Sequence, residues 1–180
     1  MFNANPKALE RLAPRLQRVL IVESAPAAGR LLADLMKEMG GRQILFASTL
    51  SRALGLIEES EPQIIFTEYA GQQFDGLELT RTLRRSQMAA RKSPIIMVTA
   101  EATAASIIAA RNAGVHEFLR KPFTAGDLFR RVDNVINKPR DWIEAQMYVG
   151  PDRRRFNAGE YAGSRKRRAD LTKPPEVTAA

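Results

Sequence analysis

Pro62-Gln63-Ile64-Ile65-Phe66-Thr67-Glu68 is the stretch that decides the fold. A breaker precedes a short apolar run, the pattern of a strand buried on both faces of a parallel sheet, and the run ends on a carboxylate. The pattern recurs on either side. Upstream, Arg18-Val19-Leu20-Ile21-Val22 delivers Glu23 and Ser24 at its C-terminal end. Downstream, Pro94-Ile95-Ile96-Met97-Val98 delivers Thr99 and Ala100, and Glu117-Phe118-Leu119-Arg120 delivers Lys121 before Pro122. In an open parallel sheet the C-terminal strand ends line one crevice, where ligands bind. Two carboxylates (Glu23, Glu68), two hydroxyls (Ser24, Thr99) and one lysine (Lys121) are therefore expected to converge there.

Helical patterns fill the intervals. Residues 26–39 carry Leu31, Leu32, Leu35, Met36 and Met39 on an expected apolar face, and Gly40-Gly41 stops the helix. A strand at 43–46 precedes a helix near 49–59 with Ser48 as its expected N-cap. After the loop 68–75, helices are expected from Gly76 to about Gln87, near 102–112 with Gly114 closing it, and from about 125 to 137. Asp75 reads as the N-cap ahead of Gly76, and His116, in the turn before the last strand, as solvated. Five strands alternating with five helices give an α/β, doubly wound, five-stranded parallel sheet.

Composition sets the outer limits. A hydrophobic content of 44% supports one core of ordinary domain size in 180 residues. With no cysteine there is no disulfide frame and no thiolate metal site, which suits a reducing cytoplasm. No apolar stretch approaches the roughly 18–20 residues that span a bilayer, and the first residues lack the apolar core of a signal peptide, so a soluble cytoplasmic protein is expected. The organisation expected is an N-terminal lead-in at 1–15, loose or partly helical, a domain at 16–137 and a basic tail at 138–180. Lys138-Pro139 breaks the alternation. Asp141-Trp142-Ile143-Glu144-Ala145-Gln146-Met147 is read as one or two helical turns ended by Gly150-Pro151, and beyond it the chain has too few large apolar side chains to bury a core, so it is expected to be flexible and largely disordered. Of the formal charge of +8, half resides in 138–180.

Five motifs in order resemble the CheY-like receiver domain of two-component response regulators: Val-Leu-Ile-Val-Glu-Ser at 19–24, Pro-Gln-Ile-Ile-Phe-Thr-Glu at 62–68, Phe-Asp-Gly-Leu-Glu-Leu at 74–79, Ile-Met-Val-Thr-Ala at 96–100 and Phe-Leu-Arg-Lys-Pro-Phe at 118–123. The resemblance covers residues 16–137 and implies the flavodoxin/CheY-like strand order 2-1-3-4-5. It also implies roles. A receiver takes a phosphoryl group onto an aspartate, with magnesium held by that aspartate and by two acids after the first strand. Here the acceptor position is Glu68 and the acid pair is Glu23 and Ser24. One anionic ligand is lost and the acceptor is one methylene longer, so magnesium binding is expected to be weak or absent. Misplacing the attacking oxygen by roughly 1 Å costs about a hundredfold, so little or no phosphotransfer is expected. The sensing half is complete, with Thr99 as the phosphate-sensing hydroxyl, Lys121 as the phosphate-gripping cation and Phe118 as the aromatic switch. Glu68 reaching toward Lys121 would imitate a phosphorylated aspartate and lock one state; the alternatives are an ion-pair cluster in an inert scaffold, or a phosphorelay receiver still served by a histidine kinase.

The tail carries a second signal. Asp152, Arg153, Arg154 and Arg155, then Arg165, Lys166, Arg167 and Arg168, form two clusters joined by a span with Phe156, Gly159, Tyr161 and Gly163. Arginine is favoured over lysine where bidentate contact and stacking on a flat ring are needed. Guanine offers an O6/N7 edge to an arginine fork and N1 and N2 hydrogens to a carboxylate such as Asp152. Cyclic di-GMP would use both clusters, and the layout resembles the Cle proteins, CheY-like effectors whose arginine-rich stretch binds that messenger and adjusts flagellar motor and attachment behaviour. An acidic protein partner, nucleic acid or an anionic membrane would also suit a basic tail. No helix-turn-helix follows the domain, so no DNA-binding domain is expected. A binding function, not an enzymatic one, is expected, with a signalling protein such as a flagellar motor component or a histidine kinase on the receiver face.

Overall fold

In the computed structural model, residues 6–72 and 74–154 are described. Among the described residues, seven strands and six α-helices follow one another. They are α1 (Pro6–Leu12), β1 (Arg18–Val22), α2 (Pro26–Glu38), β2 (Gln43–Ala47), α3 (Leu50–Ser60), β3 (Ile64–Glu68), α4 (Gly76–Arg85), β4 (Ile95–Thr99), α5 (Ala104–Ala113), β5 (Glu117–Arg120), α6 (Ala125–Asn137), β6 (Trp142–Ala145) and β7 (Tyr148–Pro151). The first five strands form one sheet in the order β2-β1-β3-β4-β5, every neighbouring pair parallel. The doubly wound parallel sheet expected from the alternation is the fold observed.

Period-two alternation divides the strand residues between two cores. Val19, Ile21, Ile64, Phe66, Ile96, Val98 and Leu119 pack with α2 and α6 on one face. Leu20, Val22, Ile65, Ile95 and Met97 pack with α3, α4 and α5 on the other. The central strands β1, β3 and β4 are therefore almost wholly buried, whereas β2, at one edge, exposes Phe46.

Local capping follows the sequence closely, with differences. Asp75 caps α4, its carboxylate accepting from the amides of Leu77 at 2.7 Å and Glu78 at 3.4 Å. For α3 the cap is Thr49 and not Ser48, because the Thr49 hydroxyl accepts from the amide of Arg52 at 3.3 Å. On α2, Leu31 is 59% exposed and leaves the burial to Leu32, Ala33 and Met36. The lead-in contributes to packing, since its Leu12, like Leu16 just after it, is fully buried in the core beside α2 and α6.

The largest departure follows α6. The segment read as helical turns is a β-hairpin, with Trp142–Ala145 antiparallel to Tyr148–Pro151 across Gln146-Met147. It closes on the N-terminal ends of β4 and β5, where Gly114 and Gly150 bring two backbones together: a Cβ on Gly150 would lie 2.9 Å from the Gly114 Cα. Residues 138–154 thus belong to the folded body, which continues through the boundary expected at 138. The hairpin packs over Arg84 of α4, which is 1% exposed. Its guanidinium donates to the carbonyls of Gly114 (3.0 Å), Arg91 (2.6 Å) and Ser93 (3.0 Å), and stands 5.4 Å from the Trp142 ring centroid.

Candidate functional site

The crevice is built by strand ends. Pairing of β1 with β3, and of β3 and β5 with β4, sets the last residues of four strands side by side, so Glu23, Ser24, Glu68, Thr99 and Lys121 meet there as the sequence indicates. The amide of Lys121 donates to the Thr99 carbonyl at 2.7 Å and seats the lysine over the crevice. Close packing below comes from Gly76, where a Cβ would lie 2.0 Å from the Glu68 carbonyl oxygen; only glycine lets α4 start against the end of β3.

Lys121 Nζ lies 2.7 Å from Glu23 Oε2 and 3.7 Å from Glu68 Oε1. The second oxygen of Glu68 accepts from the Ser24 hydroxyl at 2.7 Å, and Glu23 Oε1 accepts from the amide of Ala25 at 3.0 Å. The lysine is therefore engaged chiefly by the acid-pair position and only secondarily by the acceptor position. Thr99, 5% exposed, accepts from the amide of Glu101 at 3.1 Å and makes no hydrogen bond to Glu68 among the described residues. Phe118 is half-buried against the core that holds α3, α4 and α5.

A hard divalent ion needs several oxygen ligands at short, nearly fixed distances. The crevice offers two carboxylates and a neutral hydroxyl, with the ammonium of Lys121 already at one carboxylate and the hydroxyl donating to the other. That donor set does not fit magnesium well, because Ser24 stands where a second anion would be needed. Among the described residues no cluster of three or more His, Cys, Asp or Glu side chains is placed to hold a metal.

His116 is not solvated. Its Nδ1 accepts from the amide of Ile95 at 3.2 Å and faces the Arg84 guanidinium at 3.2 Å. Two donors on one nitrogen fix the neutral ring with its proton on Nε2. Burial, then the charges of Arg84 and Arg140, hold its pKa well below the ordinary value. Burial also lowers Arg84, to about 9, which leaves it charged at neutral pH. Sequence reasoning missed this pair because its members lie 32 positions apart and neither sits in a motif.

Of the tail residues, Asp152, Arg153 and Arg154 are described. Asp152 is turned toward its own chain, pairing with Arg154 at 3.0 Å. Arg153 lies over the Tyr148 ring at 4.6 Å and donates to the Asn112 side chain at 2.9 Å. Arg155, Arg165, Arg167 and Arg168 fall outside the described residues. Beside Arg153, between α5, β5 and α6, opens a cavity of about 430 Å³. Among the described residues, no helix is long and apolar enough to cross a membrane.

Residues 19–133 match the family model of the response regulator receiver domain. The chain is 25% identical over 130 residues to the chemotaxis protein CheY-3 of Vibrio cholerae, covering 72% of this chain and 99% of that protein. It is 27% identical over 121 residues to the chemotaxis protein CheY of Pseudomonas aeruginosa, covering 67% and 97%. Among solved structures, the receiver domain of a Pseudomonas aeruginosa sensor histidine kinase, with magnesium coordinated in its active site cleft, aligns with a TM-score of 0.61. Its sequence identity is 26%, over 67% of this chain and 98% of that one.

Proposed function

Because the chain belongs to the response regulator receiver family of two-component signalling, we propose that it is an atypical, binding-only member, in which the receiver is not phosphorylated and the arginine-rich segment takes cyclic di-GMP. The observation that carries the first half is the internally paired crevice: Lys121 on Glu23 at 2.7 Å, Ser24 on Glu68 at 2.7 Å. In a phosphorylated receiver those atoms serve the metal and the incoming phosphoryl group. Here the cation is balanced by a carboxylate and the acceptor oxygen is tied to a hydroxyl that replaces an acid. Because Lys121 favours Glu23 over Glu68, the domain reads as a fixed scaffold more than as a mimic of the phosphorylated state.

The second half is supported by arginine chemistry at the point where the described chain ends. Arg153 already stacks on an aromatic ring, the mode of contact a purine face would receive. The receiver face around Phe118 would then engage a signalling protein, such as a flagellar motor component or a histidine kinase.

Two measurements test these halves separately. Incubation with a small-molecule phosphodonor and magnesium, followed by mass spectrometry, is expected to give no phosphoryl adduct. An adduct abolished by Glu68→Ala would instead make the protein a working phosphorelay receiver. Calorimetric titration of cyclic di-GMP at two salt concentrations is expected to give saturable binding that survives the higher salt. Binding that vanishes with salt would reduce the segment to generic electrostatics.

A further inference from the structure

We infer that Lys121 is the resident cation of the crevice, its ammonium keeping out a divalent ion of the kind that the similar histidine-kinase receiver coordinates in its cleft; this rests on the reading of the receiver as one that takes no phosphoryl group. All four oxygens of the two crevice carboxylates face a donor of the chain itself. Glu23 Oε2 meets the Lys121 ammonium at 2.7 Å, and Glu23 Oε1 meets the Ala25 amide at 3.0 Å. Glu68 Oε2 meets the Ser24 hydroxyl at 2.7 Å, and Glu68 Oε1 meets the same ammonium at 3.7 Å. The Glu23 side chain is 7% exposed and that of Glu68 19%, so water does little to separate their charges. Two such carboxylates need a positive charge between them, and Lys121 supplies it from a backbone fixed by the amide bond to the Thr99 carbonyl.

Charge and position act together. The three charged groups that meet in the crevice leave it a single negative charge, because Ser24 adds none. A dication would reverse that balance, and on Glu23 it would share a carboxylate with the ammonium, where like charges at contact distance repel strongly. Without the ammonium, two carboxylates and a hydroxyl would face the space it fills, with two negative charges and oxygen donors only. That is the donor chemistry a hard dication takes. Lys121 is therefore the group that decides whether the crevice answers to divalent ions at all.

The test uses the full chain with manganese(II) as the probe, read by paramagnetic broadening of backbone amide signals. The parent protein is expected to show no saturable broadening in the crevice, and to melt alike in magnesium chloride and in sodium chloride of the same ionic strength. Lys121→Met is expected to bind manganese at least about tenfold more tightly than the parent, with the amides of Glu23, Ser24 and Glu68 broadened first. Lys121→Arg keeps the cation and is expected to stay as indifferent to manganese as the parent, a comparison that holds even where the methionine variant does not fold. Saturable binding in the crevice of the parent or of Lys121→Arg, or a folded Lys121→Met protein that binds no better than the parent, would overturn the assignment. Manganese binding by the parent without a phosphoryl adduct in the phosphodonor assay would overturn it alone and leave the unphosphorylated reading standing.

Discussion

At the scale of the residue, His116 illustrates what a single side chain does when two donors share one of its nitrogens. The neutral ring accepts from the Ile95 amide and faces Arg84, and protonation would put a hydrogen where both donors point. Its pKa in the folded state lies well below 6.5, so below about pH 6.5 the unfolded chain binds more protons than the folded one. The stability contributed by the neutral ring is complete above that pH and is lost as the pH falls toward the folded value. Each unit costs up to about 1.4 kcal/mol. Urea midpoints are expected to drop from pH 7.5 to pH 5.5, and His116→Asn, which keeps an acceptor without a titrating ring, is expected to flatten that drop. A parent protein equally stable at both pH values would refute the assignment. The crevice residues were legible in the sequence because each one ends a buried run, and strand ends in a parallel sheet share one edge by construction. What sequence could not convey was how they pair: Lys121 has two carboxylates within reach, and which it takes depends on side-chain geometry alone.

At the scale of the element, the hairpin shows where sequence reading stops. Glu144, Ala145, Gln146 and Met147 are good helix formers, and propensity alone favours a helix. Tertiary context overrides it, because Trp142 finds a cation in Arg84 and another in Lys92 at 5.7 Å, and Tyr148 buries its ring while donating to the Pro151 carbonyl at 2.5 Å. The available signal was the pair of aromatics flanking a short polar turn, followed by glycine and proline. Arg84 shares the attachment with Arg91, which pairs with Glu144 at 3.2 Å, and holds together the surface on which Trp142 rests. Arg84→Met is expected to leave the Gly114, Arg91 and Ser93 carbonyls without that donor and to cost about 3 kcal/mol. In hydrogen exchange, amides of 142–151 are expected to lose protection while β1 and β3 keep theirs. Uniform loss across the sheet would mean that Arg84 supports the core and not the hairpin.

At the scale of the whole molecule, the crevice and the hairpin occupy opposite ends of the sheet. The crevice lies beyond the C-terminal ends of the strands, whereas the hairpin closes on their N-terminal ends, a strand length of about 17 Å away. Distant sites without shared partners act nearly additively. Glu68→Gln and Lys121→Ala are therefore expected to change cyclic di-GMP affinity by less than about threefold in calorimetry. A larger change would identify Phe118, which reaches from the switch position to the cavity wall, as a mechanical link between the poles.

The distance between the crevice and the hairpin has a consequence for geometry in an assembly. On the proposed reading, a partner docked beside Lys121 would leave the hairpin end of the sheet uncovered, and a body held there would never meet the first.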